Sequence, residues 1–271
     1  MDTIGFIGGG NMAQALIEGV LNNKLFAPER IWVSDVRAER LAELKARCCI
    51  QTTQSNNELA AAADCVLLSV KPQVLGCILD EIAGSLRPKA LVISIAAGKT
   101  CDFILRRLGD VQLVRVMPNT PALAGVGAAG LYNATASPSA MRAAIELFDA
   151  VGRTVVVDNE DLIDAVTAVS GSGPAYFFLL MEAMIGAGCQ LGLAPAAAAE
   201  LVLQTALGAA VLAQNEHQNG HSPEILRQNV TSPGGTTEAA ITTLQEGRFG
   251  LLVRSAMVAA RDRAKELSAD R

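Results

Sequence analysis

Lysine is missing from the whole stretch between Lys99 and Lys265, and the chain has only two histidines, His217 and His221. An enzyme that moves the proton of an alcohol normally uses one of these two residue types as general acid or base. A second half without lysine therefore argues against ketone–alcohol chemistry. The histidines lie four apart in the polar stretch 215–222, where a solvated loop is the expectation and no metal is. The six cysteines, Cys48, Cys49, Cys65, Cys77, Cys101 and Cys189, form no C-x-x-C pair. An adjacent pair such as Cys48 and Cys49 rarely bridges, so all six read as reduced thiols of a cytoplasmic protein. Aromatics make up 4% of residues against 51% hydrophobic in total, which favours closely packed Ala- and Gly-rich helices over an aromatic sandwich. The net charge is −5, with no Lys/Arg block to follow a phosphate backbone, so nucleic acid is not an expected partner. Met1 and Asp2 lead straight into a strand-like run without the pattern of a signal peptide, which again points to the cytoplasm.

One apolar run reaches membrane-spanning length, from Pro174 to Ala199. Glu182, Gln190 and Pro195 interrupt it, and no basic or aromatic belt flanks it. A helix apolar nearly all round must be buried on every side. The expectation is burial in a homo-oligomer rather than in lipid.

At 271 residues two domains are expected, 1–159 and 160–271. Runs at 3–7, 31–34, 66–70, 91–95 and 113–117 are β-rich and continuously apolar, as in a doubly wound parallel sheet covered on both faces by helices. Runs at 125–132 and 154–157 would add late edge strands. From about Asn159 onward the pattern is helical, with runs at 161–168, 175–191, 195–213, 223–228 and 237–267. The fold class is thus an α/β Rossmann-type sheet followed by an all-helical domain.

Directly after the first strand stands Gly8-Gly9-Gly10-Asn11-Met12-Ala13, the G-x-G-x-x-A form of a dinucleotide-binding turn. Gly8 suits the tight turn, Gly10 lets backbone approach a pyrophosphate, and Ala13 allows close helix–strand packing. The helix N-terminus then offers amides to the phosphates. At the end of the second strand Asp35 suits ribose hydroxyls and hence NAD, whereas Ser34, Arg37 and also Arg40 suit a 2′-phosphate and hence NADP. Both cofactors stay open on this evidence. Lys71-Pro72 and Ala96-Ala97-Gly98 close further strands at their carboxyl ends, and the small residues leave room for a flat nicotinamide ring.

In the helical half, Asn229-Val230-Thr231-Ser232-Pro233-Gly234-Gly235-Thr236-Thr237 puts a turn ahead of a helix. The amides of Gly235, Thr236 and Thr237 would converge on a carboxylate, Ser232 would add a hydroxyl, and Thr237 would reach a ring nitrogen. A plain N-cap at Thr236 or Thr237 is the competing reading. Such a site has hydroxyls and amides but no strong acid, which fits a substrate that is already an electrophile, such as a protonated cyclic imine. A β-hydroxyacid dehydrogenase or a non-catalytic cofactor sensor are the alternatives.

This loop closely resembles the signature of the pyrroline-5-carboxylate reductases. So do the opening 4–12, Val70-Lys71-Pro72, Ala96-Ala97-Gly98, Met117-Pro118-Asn119-Thr120-Pro121 and Ser170-Gly171-Ser172-Gly173-Pro174-Ala175-Tyr176. The resemblance covers nearly the whole chain. It implies a Rossmann domain and a helical dimerisation domain, with dimers often assembled five at a time into a decamer and the site shared between subunits. It implies cofactor contacts from Gly9, Asn11, Met12, Asn56, Val70, Lys71, Ala97 and Asn229. It implies substrate contacts from Ser232, Gly235, Thr236 and Thr237, the last hydrogen-bonded to the imine nitrogen. It implies NADPH by preference, with NADH often accepted, although Asp35 stands where a small hydroxyl residue would better suit the 2′-phosphate.

Overall fold

A computed structural model describes residues 1–269, and their packing divides them into two compact units. The first runs to Pro174 and takes in the segment from Ala259 onward; the second is Ala175–Val258.

The first unit is built on an eight-stranded sheet in the order β3-β2-β1-β4-β5-β6-β7-β8. The strands are β1 (Ile4–Ile7), β2 (Ile31–Ser34), β3 (Gln51–Thr53), β4 (Cys65–Leu68), β5 (Leu91–Ser94), β6 (Gln112–Met117), β7 (Gly127–Asn133) and β8 (Gly152–Val157). The first six are mutually parallel, β7 is antiparallel to β6, and β8 runs parallel to β7. β1, β4 and β5 are buried at every residue, as expected of strands covered on both faces. β3 is the strand that the sequence pattern does not announce, because its Gln-Thr-Thr has no apolar residue to read.

Side-chain alternation along the strands divides the core in two. On one face Ile4 and Phe6 pack with Leu16 and Ile17 of α1 (Asn11–Asn22), Leu44 of α2 (Ala38–Cys48) and Leu147 and Phe148 of α6 (Pro138–Asp149). On the other, Ile7 and Leu68 pack with Leu59 of α3 (Asn56–Ala62), Leu75 and Leu79 of α4 (Pro72–Ile82) and Ile104 and Leu108 of α5 (Cys101–Leu108). The order reverses between β1 and β4, since β2 lies on the other side of β1. The carboxyl ends of β1 and β4 thus flank the crevice where an open α/β sheet collects its ligand.

After β8 comes α7 (Leu162–Val166), which passes into a π-helical turn at Thr167–Gly171. Ser172 donates its amide to the Thr167 carbonyl at 2.7 Å. α7 covers most of the helix expected over 161–168, and the π-helical turn takes over from its last two residues.

The second unit holds α8 (Gly173–Gln190) beyond its first residues, α9 (Pro195–Gln218), α10 (Pro223–Asn229), α11 (Thr236–Glu246) and the first half of α12 (Phe249–Ala269). The single helix expected over 237–267 breaks at Gly247 and Arg248, the latter at φ 57. The runs Leu162–Gln190 and Pro195–Gln218 are long and apolar enough to cross a membrane by length and composition. Within one chain they are largely uncovered: Phe177, Phe178 and Leu179 are 64, 61 and 67% exposed.

Candidate functional site

The turn after β1 is held from three sides. Gly8 sits at φ +99, and a Cβ on it would stand 2.9 Å from the Ser69 carbonyl oxygen. Its amide donates to the Ser34 carbonyl (2.8 Å), and Ser69 Oγ donates to the Gly8 carbonyl (2.7 Å). Two residues on, Gly10 is the N-cap of α1 without a side-chain cap, and a Cβ built there would meet nothing within 4 Å. Gln14 closes the first helical bond onto Gly10 (3.0 Å), so the amides of Asn11, Met12 and Ala13 precede it and need an outside acceptor. Gly8 serves the turn, while Gly10 faces open space in front of a positive helix end. A pyrophosphate fits this cradle.

The end of β2 is closed by its own charges. Asp35 accepts the Gly9 amide (2.9 Å) and both Nε and Nη2 of Arg37 (3.0 Å each). Burial works to raise the Asp35 carboxyl, but Arg37 and the two backbone amides outweigh it and hold it at about 2. Arg40 donates to the Gly9 carbonyl and to Gln14, both at 2.6 Å, and pairs with Glu43 (2.7 Å). Ser34 is fully buried and donates to Asn56 Oδ1 (2.7 Å), while Asn56 donates to Glu81 (2.9 Å). Thus Ser34, read for a 2′-phosphate, bonds instead to Asn56, and Arg37 and Arg40 are both engaged within the chain. Lys71 caps α4 ahead of Pro72, exposed and without a partner among the described residues. Val70 is half-buried beside the Gly8 turn. Ala96 is buried and Ala97 half-buried at the carboxyl end of β5.

In the second unit, Asn229 ends α10 and is exposed. Thr231 bonds back to the Arg227 carbonyl (2.6 Å), and the Gly235 amide donates to the Ser232 carbonyl (3.0 Å). The Gly235 amide, expected to face a carboxylate, is therefore spent in the turn. The N-cap of α11 is Gly235, with no side-chain cap, so the reading of Thr236 or Thr237 as a mere cap is overturned. Ala239 closes the first helical bond onto Gly235 (3.2 Å), which leaves the amides of Thr236, Thr237 and Glu238 ahead of it. Thr237 is half-buried, and its hydroxyl takes no partner among the described residues. Glu238 folds back to accept the Gly234 amide (2.7 Å).

Asn119 had no assigned role in the sequence, yet it ties two of the quoted motifs together. Its Nδ2 donates to the Ser170 carbonyl (3.0 Å), and its Oδ1 accepts the Ala128 amide (2.9 Å). It is 9% exposed. π-helical turns occur frequently at functional sites, and this one is pinned to the end of β6 in that way. His217 lies in the last turn of α9, where a loop was expected, and His221 pairs with Glu216 (2.5 Å). Among the described residues no three His, Cys, Asp or Glu side chains group as a metal site, and the six cysteines are free.

Comparison with known proteins gives the following. Residues 160–267 match the pyrroline-5-carboxylate reductase dimerisation family, and residues 3–98 match the family described as NADP oxidoreductase, coenzyme F420-dependent. A pyrroline-5-carboxylate reductase of Pseudomonas aeruginosa is 48% identical over 98% of this chain and 96% of its own. A solved pyrroline-5-carboxylate reductase of Coxiella burnetii superposes with a TM-score of 0.93 at 43% identity, covering 98% of each chain. The pyrroline carboxylate reductase of Plasmodium falciparum, solved with NADP bound, gives 0.86 at 29% identity and the same coverage.

Proposed function

The chain belongs to the pyrroline-5-carboxylate reductase family, and from that premise we propose that it reduces L-1-pyrroline-5-carboxylate to L-proline with NADPH, the last step of proline synthesis. The observation that carries the site assignment is the start of α11, where an uncapped helix end lies beside a half-buried threonine hydroxyl without a partner. A carboxylate and a ring nitrogen in one small molecule satisfy both.

The amides of Asn11, Met12 and Ala13, over the open face of Gly10, would hold the pyrophosphate of the cofactor. Lys71 would supply a cation to the phosphates, and Ala96 and Ala97 would leave room for the nicotinamide ring. When bound, the cofactor supplies a hydride. The amides of Thr236, Thr237 and Glu238 and the Ser232 hydroxyl hold the substrate carboxylate. The Thr237 hydroxyl orients the imine nitrogen and stabilises the amine as its lone pair forms. The new bond is C–H, and the C=N π pair moves onto nitrogen. Because the protonated imine carbon is already electrophilic, the absence of lysine from 100 to 264 costs nothing.

A family domain of dimerisation covers residues 160–267, and the bare α8 and α9 faces take a second copy as their cover. A cytoplasmic homodimer, assembled five at a time into a decamer, follows from the resemblance. Its functional division lies at 159/160, and the resemblance adds Asn229 to the cofactor contacts. The test is direct: purified protein, pyrroline-5-carboxylate and NADPH or NADH, followed at the nicotinamide absorbance. No turnover with either cofactor overturns the reading.

A further inference from the structure

The last turns of α12 return to the first unit. Ala264 is 7% exposed there. Burial raises the carboxyl of Asp164 on α7, and the positive charges of Arg115 on β6 and of Lys265 stand near enough to oppose that rise. One turn further, the backbone of Leu267 lies against Gly98. That glycine has φ +68, and a Cβ on it would stand 3.0 Å from both the Cβ and the carbonyl oxygen of Leu267. Gly98 is buried. A side chain is excluded at 98 twice over, by the left-handed backbone and by the helix end pressed against it.

Ala96 is anchored in the core with residues of α4 and α5, but beyond it the loop carries only the Ala97 methyl and the Gly98 hydrogen, and the Ala96 amide reaches Ser94 Oγ only at 3.4 Å. A loop end without an anchoring side chain takes its position from what it leans on, and hydride transfer is sensitive to displacements of about 1 Å. We propose that the final two turns of α12 are a brace for the Ala96–Gly98 loop, with Gly98 and Ala264 as positioning residues that set the nicotinamide end of the cofactor. This rests on the assignment of that loop to the nicotinamide ring.

Two variants test it, one in the loop and one in the helix end. Gly98→Ala adds a methyl against Leu267, and Ala264→Glu puts a carboxylate at the buried position of the helix one turn before that contact. Binding is measured by titration calorimetry with NADPH and with 2′-phospho-ADP-ribose, which carries the same phosphates but no nicotinamide. Both variants are expected to bind NADPH about fivefold more weakly, a loss of about 1 kcal/mol. Both are expected to keep their affinity for 2′-phospho-ADP-ribose, to lose kcat about tenfold, and to leave KM for the imine unchanged; Ala264→Ser restores the wild-type values. Equal losses for both ligands, or no loss for either, overturn the brace. If Ala264→Glu fails to fold, Ala264→Val must show the same selective loss. Wild-type protein that binds 2′-phospho-ADP-ribose but does not reduce the imine refutes the reaction instead, and leaves the brace to be judged on the binding pair.

Discussion

In the first unit Phe6, Leu16, Ile17 and Phe148 are at most 1% exposed, whereas in the second Phe177, Phe178, Leu201 and Leu207 are all more than half exposed. The first unit closes its apolar surface on itself, with helices on both faces of the sheet. The second spreads comparable side chains over α8 and α9, where Gly173, Ala198 and Val202 are the buried positions. An exposed apolar surface of this extent marks an interaction site. The contrast teaches that the glycine turn after β1 is complete in one chain, while α8 and α9 leave open an apolar surface that suits the dimerisation domain matched over 160–267.

The sharpest way to break this contrast is to charge the bare face. An unpaired carboxylate buried in a contact costs roughly 3 kcal/mol or more. Phe178→Glu is therefore expected to yield monomers by light scattering and to abolish turnover, with NADPH binding to the first unit retained. Monomers with full activity would refute the need for a partner.

Thr237→Ala comes next. The hydroxyl caps nothing, so the melting temperature should hold while kcat drops about 10²- to 10³-fold, as for loss of one transition-state donor. NADPH affinity should stay put. A fall in stability equal to that of a lost cap would return Thr237 to a structural role.

Two glycines in one turn then separate structure from ligand. Gly8→Ala forces a left-handed residue against the Ser69 carbonyl and should lower stability by about 1–2 kcal/mol. Gly10→Ala meets open space, so stability should be kept while about 1–3 kcal/mol of cofactor affinity is lost to crowding. Equal stability losses for both would remove Gly10 from the cofactor site.

How far the sequence foretold this site follows the same contrast. The glycine turn was legible because its spacing and its place after a buried strand are set by backbone sterics alone. The continuous apolar strands were legible for the same reason. β3 was not, since an edge strand of Gln and Thr carries no pattern. Nor was the role of Asn119, because its partners, the Ser170 carbonyl and the Ala128 amide, are backbone atoms. The Ser232–Thr237 loop was legible as a turn before a helix, but the identity of the cap was not. Gly235 takes that place because the Ser232 carbonyl captures its amide, a detail of turn geometry that two adjacent threonines obscure.

Asp35 separates cofactor choice from folding. Its carboxylate occupies the Gly9 amide, and an acidic residue at the end of the second strand suits ribose hydroxyls rather than a 2′-phosphate. Asp35→Ser is expected to raise the preference for NADPH over NADH about tenfold, or about 1.4 kcal/mol. An unchanged ratio in steady-state kinetics would place the 2′-phosphate elsewhere.

The smallest effect is on acid stability, and it too belongs to the first unit. Asp35 and Asp64 are both held at about 2: burial acts to raise each, and their hydrogen bonds outweigh it. Asp64 accepts the Asp2 and Thr3 amides (2.9 and 3.1 Å) and pairs with Arg87 (2.7 Å). An unfolded aspartate titrates near about 3.9, so between that value and about 2 the unfolded chain binds more protons than the folded one. The stability these groups contribute is full above about pH 4 and is lost as pH falls through 2. Trp32, the single tryptophan and a residue of β2, reports on this unit. Its fluorescence should show urea stability falling between pH 4 and 2, with a shallower fall in Asp64→Asn. An unchanged slope in that variant would mean that the Asp64 bonds to Asp2, Thr3 and Arg87 do not persist in solution.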